Sequence, residues 1–197
     1  MAKVRALNED GITAFHWCGS YELPPATATG SVERDLCLLP SCLGVGEVAV
    51  SDHRGSVPTA HELARLALEA RRGGLLGGKP GLVHVHMGGG PGGLQPLLDA
   101  LDAAGGVLPR RQFHPTHMAR SAQLVAQGAQ WLRDGGSLDL TCECAAGVRR
   151  WRCCTQNLPP TLPTSSPPSP PGPSCAAAQH AGRRCRRGAS RACRWTL

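Results

Sequence analysis

The sequence predicts an α/β fold made of parallel strand–helix units, followed by a disordered tail rich in proline and arginine. Three observations support this: short apolar runs recur at regular intervals, amphipathic helical patterns fill the gaps, and the composition changes abruptly near Cys144. Residues 1–144 therefore form one predicted domain and residues 145–197 a low-complexity basic tail. The alternation itself fits either a doubly wound sheet or a barrel.

Five apolar runs have the length of strands, and their first residues lie 35, 35, 30 and 25 positions apart. Connections of this length accommodate a helix between parallel strands. The predicted strands are residues 12–18, 47–51, 82–87, 112–117 and 137–141.

The clearest helical pattern lies between the second and third predicted strands, at residues 59–73. Thr59 and Glu62 form a capping-box sequence at its start, and Leu63 and Leu66 share one apolar face. The other predicted helices are residues 31–39, 94–104 and 119–134.

The tail contains nine arginines, eight prolines and no acidic residue, so its charge of +9 outweighs the −2 of residues 1–144 and gives the net charge of +7. It has too few large aliphatic side chains to offset its chain entropy, so we expect it to be disordered. The arginine-rich run at 183–187 leaves a polyanion-binding role open. A solvated extension and translation out of frame are the alternatives. We favour the last, and we do not expect a nucleic-acid partner.

Ten cysteines in 197 residues raise the question of disulfides, but seven of them lie at or after Cys142. Their spacing lacks the paired motifs of a zinc ribbon, and the sequence shows neither a signal peptide nor a membrane-spanning run. We therefore expect a cytoplasmic protein without a membrane partner, in which Cys18, Cys37 and Cys42 are ordinary small apolar residues.

Polar residues stand at the carboxyl ends of the predicted strands, where parallel βα folds carry their ligands. His84 and His86 lie two residues apart on one strand, so both face the same side and could reach one metal ion. Glu47 could bridge a pair of ions from the neighbouring strand. Hydrogen-bonded core histidines are the alternative. The other polar positions are Tyr21, residues 51–54, His114 and His117.

Residues 73–79 imitate a phosphate-binding loop, with four residues between Gly73 and Gly78 and a lysine directly after them. Pro80 occupies the position where serine or threonine would hold magnesium, and the segment precedes a strand instead of joining a strand to a helix. We interpret it as a glycine-rich turn.

Six segments carry a resemblance to the isoaspartyl (beta-aspartyl) dipeptidases of the amidohydrolase superfamily. They occur in the family's order and spacing and cover residues 1–141. The segments are 5–12 (RALNEDGI), 29–33 (TGSVE), 51–54 (SDHR), 73–81 (GGLLGGKPG), 86–88 (HMG) and 115–117 (PTH).

The resemblance implies a (βα)8 barrel, of which this chain holds about five of the eight strands. It also implies a site for two zinc ions and hydrolysis of β-aspartyl dipeptides by a homo-oligomeric enzyme. His86 and His117 match metal ligands, and Glu47 stands where the family has a carboxylated lysine. Tyr21 matches the residue that polarises the scissile carbonyl, while Arg54 and Arg120 match arginines that hold the substrate carboxylates.

The resemblance does not extend to the first two barrel strands, with two further metal ligands, or to the last, with the aspartate that acts as general base. We therefore expect the chain as written to be inactive. Another amidohydrolase, such as a dihydroorotase or hydantoinase, and a non-enzymatic remnant with a polyanion-binding tail are the alternative functions. Residues 51–54 and 73–81 match the dipeptidases better.

Overall fold

Four parallel strands form one sheet in the order in which they occur along the chain. The computed structural model describes residues 1–141, and its sheet has the order β1-β2-β3-β4. The strands are β1 (His16–Cys18), β2 (Cys42–Val50), β3 (Leu82–Met87) and β4 (Phe113–Thr116). The predicted α/β fold is confirmed. The predictions for the tail, including its disorder and its arginine-rich run, lie outside the described residues.

Five helices connect and flank the strands. The capping box that the sequence predicts is formed, because the Glu62 backbone N–H donates to Thr59 Oγ1 and the Glu62 carboxylate accepts from the Thr59 N–H at 2.8 Å. The four predicted helices are present, with ends shifted by a few residues, as α2 (Val32–Leu38), α3 (Ala60–Gly77), α4 (Gln95–Ala103) and α5 (Ala122–Arg133). A further helix, α1 (Ala2–Glu9), was not predicted, and a 3-10 turn covers Arg110–Gln112.

The two faces of the sheet differ in chemistry. Along β3, Val83, Val85 and Met87 belong to the apolar core, where β2 and β3 pack against α3. The alternating residues His84 and His86 point to the opposite face and are also buried. The helical layer therefore covers the apolar face, and the other face carries the polar side chains.

The segment that imitates a phosphate-binding loop has a structural role. Gly73 lies within α3, contrary to the predicted turn, and a Cβ there would come within 2.8 Å of the Glu33 Cα on α2. Lys79 Nζ donates to the carbonyl oxygens of Leu36 and Leu39 at 2.5 and 2.6 Å. The glycine allows α2 and α3 to pack closely, and the lysine caps the C-terminus of α2.

The first strand is shorter than predicted. Residues 12–15 are not part of the sheet, and the side chain of Phe15 is exposed. The Ala14 backbone instead bonds to the Asn8 side chain, which accepts from the Ala14 N–H at 2.8 Å and donates to its carbonyl at 3.1 Å. Those backbone groups are satisfied locally, so the strand begins only at His16.

The fifth predicted strand, residues 137–141, is not formed. The segment runs beside β4, where the Asp139 N–H donates to the Pro115 carbonyl at 3.0 Å. The N–H and C=O of one residue in a strand face the same neighbour, so the missing N–H of Pro115 removes a ladder bond on this side. Among the described residues, the sheet therefore has four strands and not five.

The three cysteines in the described part are free thiols. Cys18 and Cys42 are buried on β1 and β2, as expected of small apolar residues, whereas Cys37 is exposed on α2.

Within residues 1–141, every helix is too short or too polar to cross a lipid bilayer.

A bulge interrupts the pairing of β2 with β3. Val45 pairs with Val83 and Val48 pairs with Val85, so Gly46 and Glu47 together oppose the single residue His84. Gly46 has a φ of 150°, in the range that favours glycine. The bulge directs the Glu47 side chain to the polar face beside His86.

We predict that Gly46→Ala destabilises the fold and displaces Glu47. An added Cβ would overlap the His84 carbonyl oxygen and come within 2.8 Å of the His84 Cβ, in a backbone conformation that side chains disfavour. Denaturant titration should show a loss of about 2 kcal/mol or more in the free energy of unfolding. Gly89→Ala is the matched control, because a Cβ there meets no atom within 4 Å. Equal stability of the two variants would contradict the role of the bulge.

Candidate functional site

The polar side chains predicted at the strand ends meet at the carboxyl edge of the sheet. This follows from the parallel pairing, which brings the ends of all four strands to one side. Ser51 follows β2 and His117 follows β4, and both are non-glycine residues in the left-handed conformation, with φ of 53° and 63°. Such conformations are costly and concentrate at functional sites.

Glu47, His86 and His117 form a group that we call the outer cluster. One donor atom from each lies within 4.8 Å of the other two. His86 Nδ1 is 3.0 Å from Glu47 Oε2, and His117 Nε2 is 3.8 Å from the same oxygen. Two imidazoles and a carboxylate form a suitable ligand set for a zinc ion with open positions.

His86 is the most buried member of the outer cluster, with only 2% of its side chain exposed. Its Nε2 lies 3.2 Å from Asp52 Oδ2 and 2.8 Å from Arg54 Nη2. A guanidinium only donates and a carboxylate only accepts, so these contacts fit a ring that accepts from Arg54 at Nε2 and donates to Glu47 from Nδ1. A metal ion on Nδ1 would instead place the proton on Nε2, from which the ring would donate to Asp52. This is the arrangement in which a carboxylate orients a histidine that ligates a metal through its other nitrogen.

His117 is held in a comparable way at the end of β4. Its Nδ1 is 2.6 Å from Thr141 Oγ1, which leaves Nε2 directed toward Glu47. Burial lowers the pKa of His117, and the nearby His86 and Arg120 lower it further. The neutral imidazole that a metal ion requires is therefore the favoured form.

Tyr21 lies over the outer cluster. Its hydroxyl is 3.1 Å from His86 Nδ1, and the two rings are 4.6 Å apart. Burial and the Glu47 carboxylate both raise the pKa of Tyr21, so the phenol keeps its proton at neutral pH. A protonated phenol at this position can donate a hydrogen bond to an oxygen bound nearby.

The sequence interpretation included Asp52 among the polar strand-end residues 51–54 but assigned it no role of its own. The Asp52 side chain is 3% exposed and accepts from Arg54 Nε at 2.9 Å and from Arg54 Nη2 at 2.8 Å. Arg120 Nη1 lies 3.8 Å from the same carboxylate. The hydrogen bonds from Arg54 hold the pKa of Asp52 well below its usual range. Asp52 lies inside the recognised segment 51–54, two residues before the arginine, so the motif did contain the signal.

His84, His114 and Asp139 form a second group, which we call the inner cluster. The sequence interpretation allowed His84 and His86 to share one ion, but the structure assigns them to different clusters. His84 is in register with His114 on β4, whereas the Glu47 carboxylate approaches His86, which lies two residues further along β3. Burial lowers the pKa of His114, with a smaller contribution from His84.

Structural comparison reveals a close relative of known function, although no family model matches the chain. The relative is the beta-aspartyl dipeptidase of the thermophilic, keratin-degrading Fervidobacterium islandicum AW-1. The match has 42% sequence identity and a TM-score of 0.68, and it covers 71% of this chain. The chain resembles the beta-aspartyl dipeptidases. The resemblance predicted from the six segments is thus confirmed as a partial one, because the chain spans 38% of the length of the Fervidobacterium protein.

A second structure of that dipeptidase contains a beta-Asp-Leu dipeptide. It matches this chain with the same identity and TM-score, and 36% of its length is covered.

All of the predicted site residues lie at the carboxyl edge, in one connected network. The predicted metal ligands are the outer cluster itself, and the three predicted substrate residues contact either His86 or Asp52. The residues brought together are Tyr21, Glu47, Arg54, His86, His117 and Arg120.

We predict that Asp52→Asn destabilises the fold more at neutral pH than in acid. The pKa of Asp52 is lowered in the folded chain, so its ion pair stabilises above the ordinary carboxyl pKa of about 3.9 and is lost as the pH falls toward the folded value. The difference between the urea midpoints of wild type and variant should be largest at pH 7 and should shrink steadily as the pH falls below about 4.

Asp102→Asn on the exposed surface of α4 is the control, and it should track wild type at every pH. A constant gap between wild type and Asp52→Asn across this range would show that the Asp52 charge does not contribute to stability.

Proposed function

We propose that residues 1–141 form part of the active site of a metal-dependent beta-aspartyl dipeptidase. The observation that carries the proposal is the convergence of Glu47, His86 and His117 at one sheet edge, in a fold 42% identical to such an enzyme. The substrate would be a dipeptide with an isoaspartyl linkage, like the beta-Asp-Leu bound to the Fervidobacterium protein.

The donor chemistry of the outer cluster supports a zinc ion. Imidazole and carboxylate together suit zinc and its neighbours in the transition series, whereas magnesium and calcium prefer oxygen ligands alone. The Asp52 carboxylate lies beside His86 Nε2 and the Thr141 hydroxyl beside His117 Nδ1, which are the ring nitrogens that do not face Glu47. The two rings are thus oriented for coordination before an ion arrives. The family's second zinc ion would need the further ligands that the resemblance assigns to other strands.

A divalent ion bound there would polarise the scissile carbonyl and activate a water molecule. The residues of the chain supply the rest. The Tyr21 hydroxyl, 3.1 Å from His86 Nδ1, donates to the carbonyl oxygen as negative charge develops on it. Arg54 presents a planar guanidinium that matches a substrate carboxylate, and Asp52 holds it in place. Arg120, beside the same carboxylate, provides a second cation for the dipeptide's other carboxylate.

The strand order supports a partial (βα)8 barrel over a doubly wound sheet. In a barrel each strand pairs with the next along the chain, as β1 to β4 do here, whereas a doubly wound sheet reverses its order at a switch point. The helices α2, α3 and α4 form one layer against the apolar face. The polar face would then line the barrel interior.

Among the alternative enzymes, a dihydroorotase or hydantoinase would share the histidines and the carboxylate. The 42% sequence identity of this chain to a beta-aspartyl dipeptidase favours a dipeptidase over these two classes of enzyme. Homo-oligomer formation and a cytoplasmic location stay predictions. A polyanion-binding role of the tail concerns residues that the structure does not describe.

We predict that the purified 197-residue chain does not detectably hydrolyse beta-Asp-Leu, even with excess zinc. The outer cluster offers three protein ligands, and the resemblance assigns the general base to a strand outside residues 1–141. Release of leucine, followed by chromatography over hours, measures this directly, with the Fervidobacterium enzyme as the positive control. Zinc-dependent release above the no-protein blank would contradict the prediction.

We predict that residues 1–141 support catalysis when they replace the matched 38% of the Fervidobacterium enzyme. The chimera should cleave beta-Asp-Leu, and Tyr21→Phe within it should lower kcat about 100-fold or more, because the donor to the developing oxyanion is lost. Asp102→Asn, on the exposed surface of α4, should leave kcat unchanged. A folded chimera that cleaves beta-Asp-Leu equally well with Tyr21→Phe would exclude the proposed role of the phenol.

A further inference from the structure

The inner cluster lies one side-chain layer deeper in the sheet than the outer cluster. His84 and His114 are partners in the register of β3 with β4, and His84 lies two residues before His86 on the same face. Their ring centroids are 5.6 Å apart, in a stacked arrangement. Asp139 comes from the segment that follows α5 and lies beside β4. Three separate segments of the chain thus contribute one side chain each.

The ligand atoms of the inner cluster converge on one point. Asp139 Oδ2 is 3.5 Å from His84 Nε2 and 3.9 Å from His114 Nε2. Donor atoms of all three residues lie within 4.8 Å of one another. Ligands about 2.1 Å from a tetrahedral zinc ion are separated by about 3.4 Å. A small contraction would therefore bring the three atoms to coordination distance.

Neighbouring groups orient each member of the inner cluster. Thr116 Oγ1 donates to Asp139 Oδ1, which leaves Oδ2 for the two histidines. Ser137 Oγ lies 2.9 Å from His114 Nδ1 and can accept a hydrogen bond from it. In that tautomer His114 Nε2 keeps its lone pair. Trp17 stacks on the His84 ring, with centroids 5.0 Å apart and an interplanar angle of 18°. The site is therefore built before a ligand arrives.

One atom of the inner cluster is unsatisfied without a ligand. His84 Nδ1 is fully buried, and it is the single buried side-chain nitrogen or oxygen in the described part of the chain without a hydrogen-bond partner. The carboxylate oxygen Glu47 Oε1 lies 3.9 Å from it. A cation on His84 Nε2 would fix the proton on Nδ1, which would then face this carboxylate. At 3.9 Å this contact has the length of an ion pair and is too long for a hydrogen bond, so a small shift of Glu47 would be needed to satisfy the nitrogen.

We propose that His84, His114 and Asp139 bind a divalent transition-metal ion at a second site, separate from the outer cluster. Two imidazoles with one carboxylate select zinc, cobalt or nickel over magnesium and calcium. The ion would link β3 and β4 to residues 137–141, adding to the backbone bond from Asp139 to Pro115 and to the side-chain bonds of Ser137, Asp139 and Thr141. Its role is structural, and the inference stands whether or not the chain is a dipeptidase.

Cobalt binding to the full chain tests the proposal, because Co²⁺ replaces Zn²⁺ and its visible spectrum reports coordination by nitrogen and oxygen. Reactive thiols are first alkylated, since cysteines also bind cobalt. Equilibrium dialysis should give two ions per wild-type chain and one for Asp139→Asn. His61→Gln, which alters an exposed histidine on α3, should keep both ions. An Asp139→Asn variant that binds as much cobalt as wild type would overturn the proposal.

A second variant keeps the test decisive if Asp139→Asn does not fold. Glu47→Gln combined with His117→Asn removes the outer cluster and leaves the three inner ligands intact. This variant should still bind one cobalt ion, and the ion should slow hydrogen exchange of the Asp139 amide at least tenfold. Absence of a bound ion in the folded double variant would also overturn the proposal. A wild-type chain that binds only the inner ion would instead count against the proposed dipeptidase site.

Discussion

The pairing of β2 with β3, with its bulge at Gly46, determines the position of the other site residues. The bulge shifts the register between Val45 and Val48, so that Glu47 projects to the polar face within 3.0 Å of His86. In a regular strand, side chains alternate between the two faces, so Val45 and Val48, three positions apart, could not both face the apolar core. Glycine is required there because the φ is 150° and His84 occupies the space that a Cβ would need. One local irregularity therefore creates the carboxylate–histidine contact on which the outer cluster depends.

Charge organises the rest of the carboxyl edge around Asp52. This nearly buried carboxylate contacts His86, Arg54 and Arg120, which are the residues expected to bind metal or substrate. A buried carboxylate is stable only when such partners compensate for its desolvation. When a substrate carboxylate approaches, it would compete with Asp52 for the guanidinium of Arg54. The affinity for an acidic dipeptide would then reflect the difference between two similar ion pairs, and not the full strength of one.

The sequence predicted the elements whose signals are local. The capping box at Thr59 and the periodicity of α3 depend on residues a few positions apart. The family resemblance named six site residues, of which Arg54, His86 and His117 lie within the matching segments. Non-local effects were not predictable. Pro115 removes a hydrogen bond from a neighbouring segment 22 or more positions away, and the Asn8 side chain displaces the start of β1. The inner cluster was missed because it depends on the register of His84 with His114, which no single segment encodes.

The central claim is that the outer cluster binds a divalent ion, and anomalous scattering from a zinc-loaded crystal of the 197-residue chain tests it most directly. The account predicts a peak at the zinc edge about 2.0–2.2 Å from a Glu47 carboxylate oxygen, His86 Nδ1 and His117 Nε2. Zinc-loaded crystals with these three side chains ordered and no peak between them would contradict it.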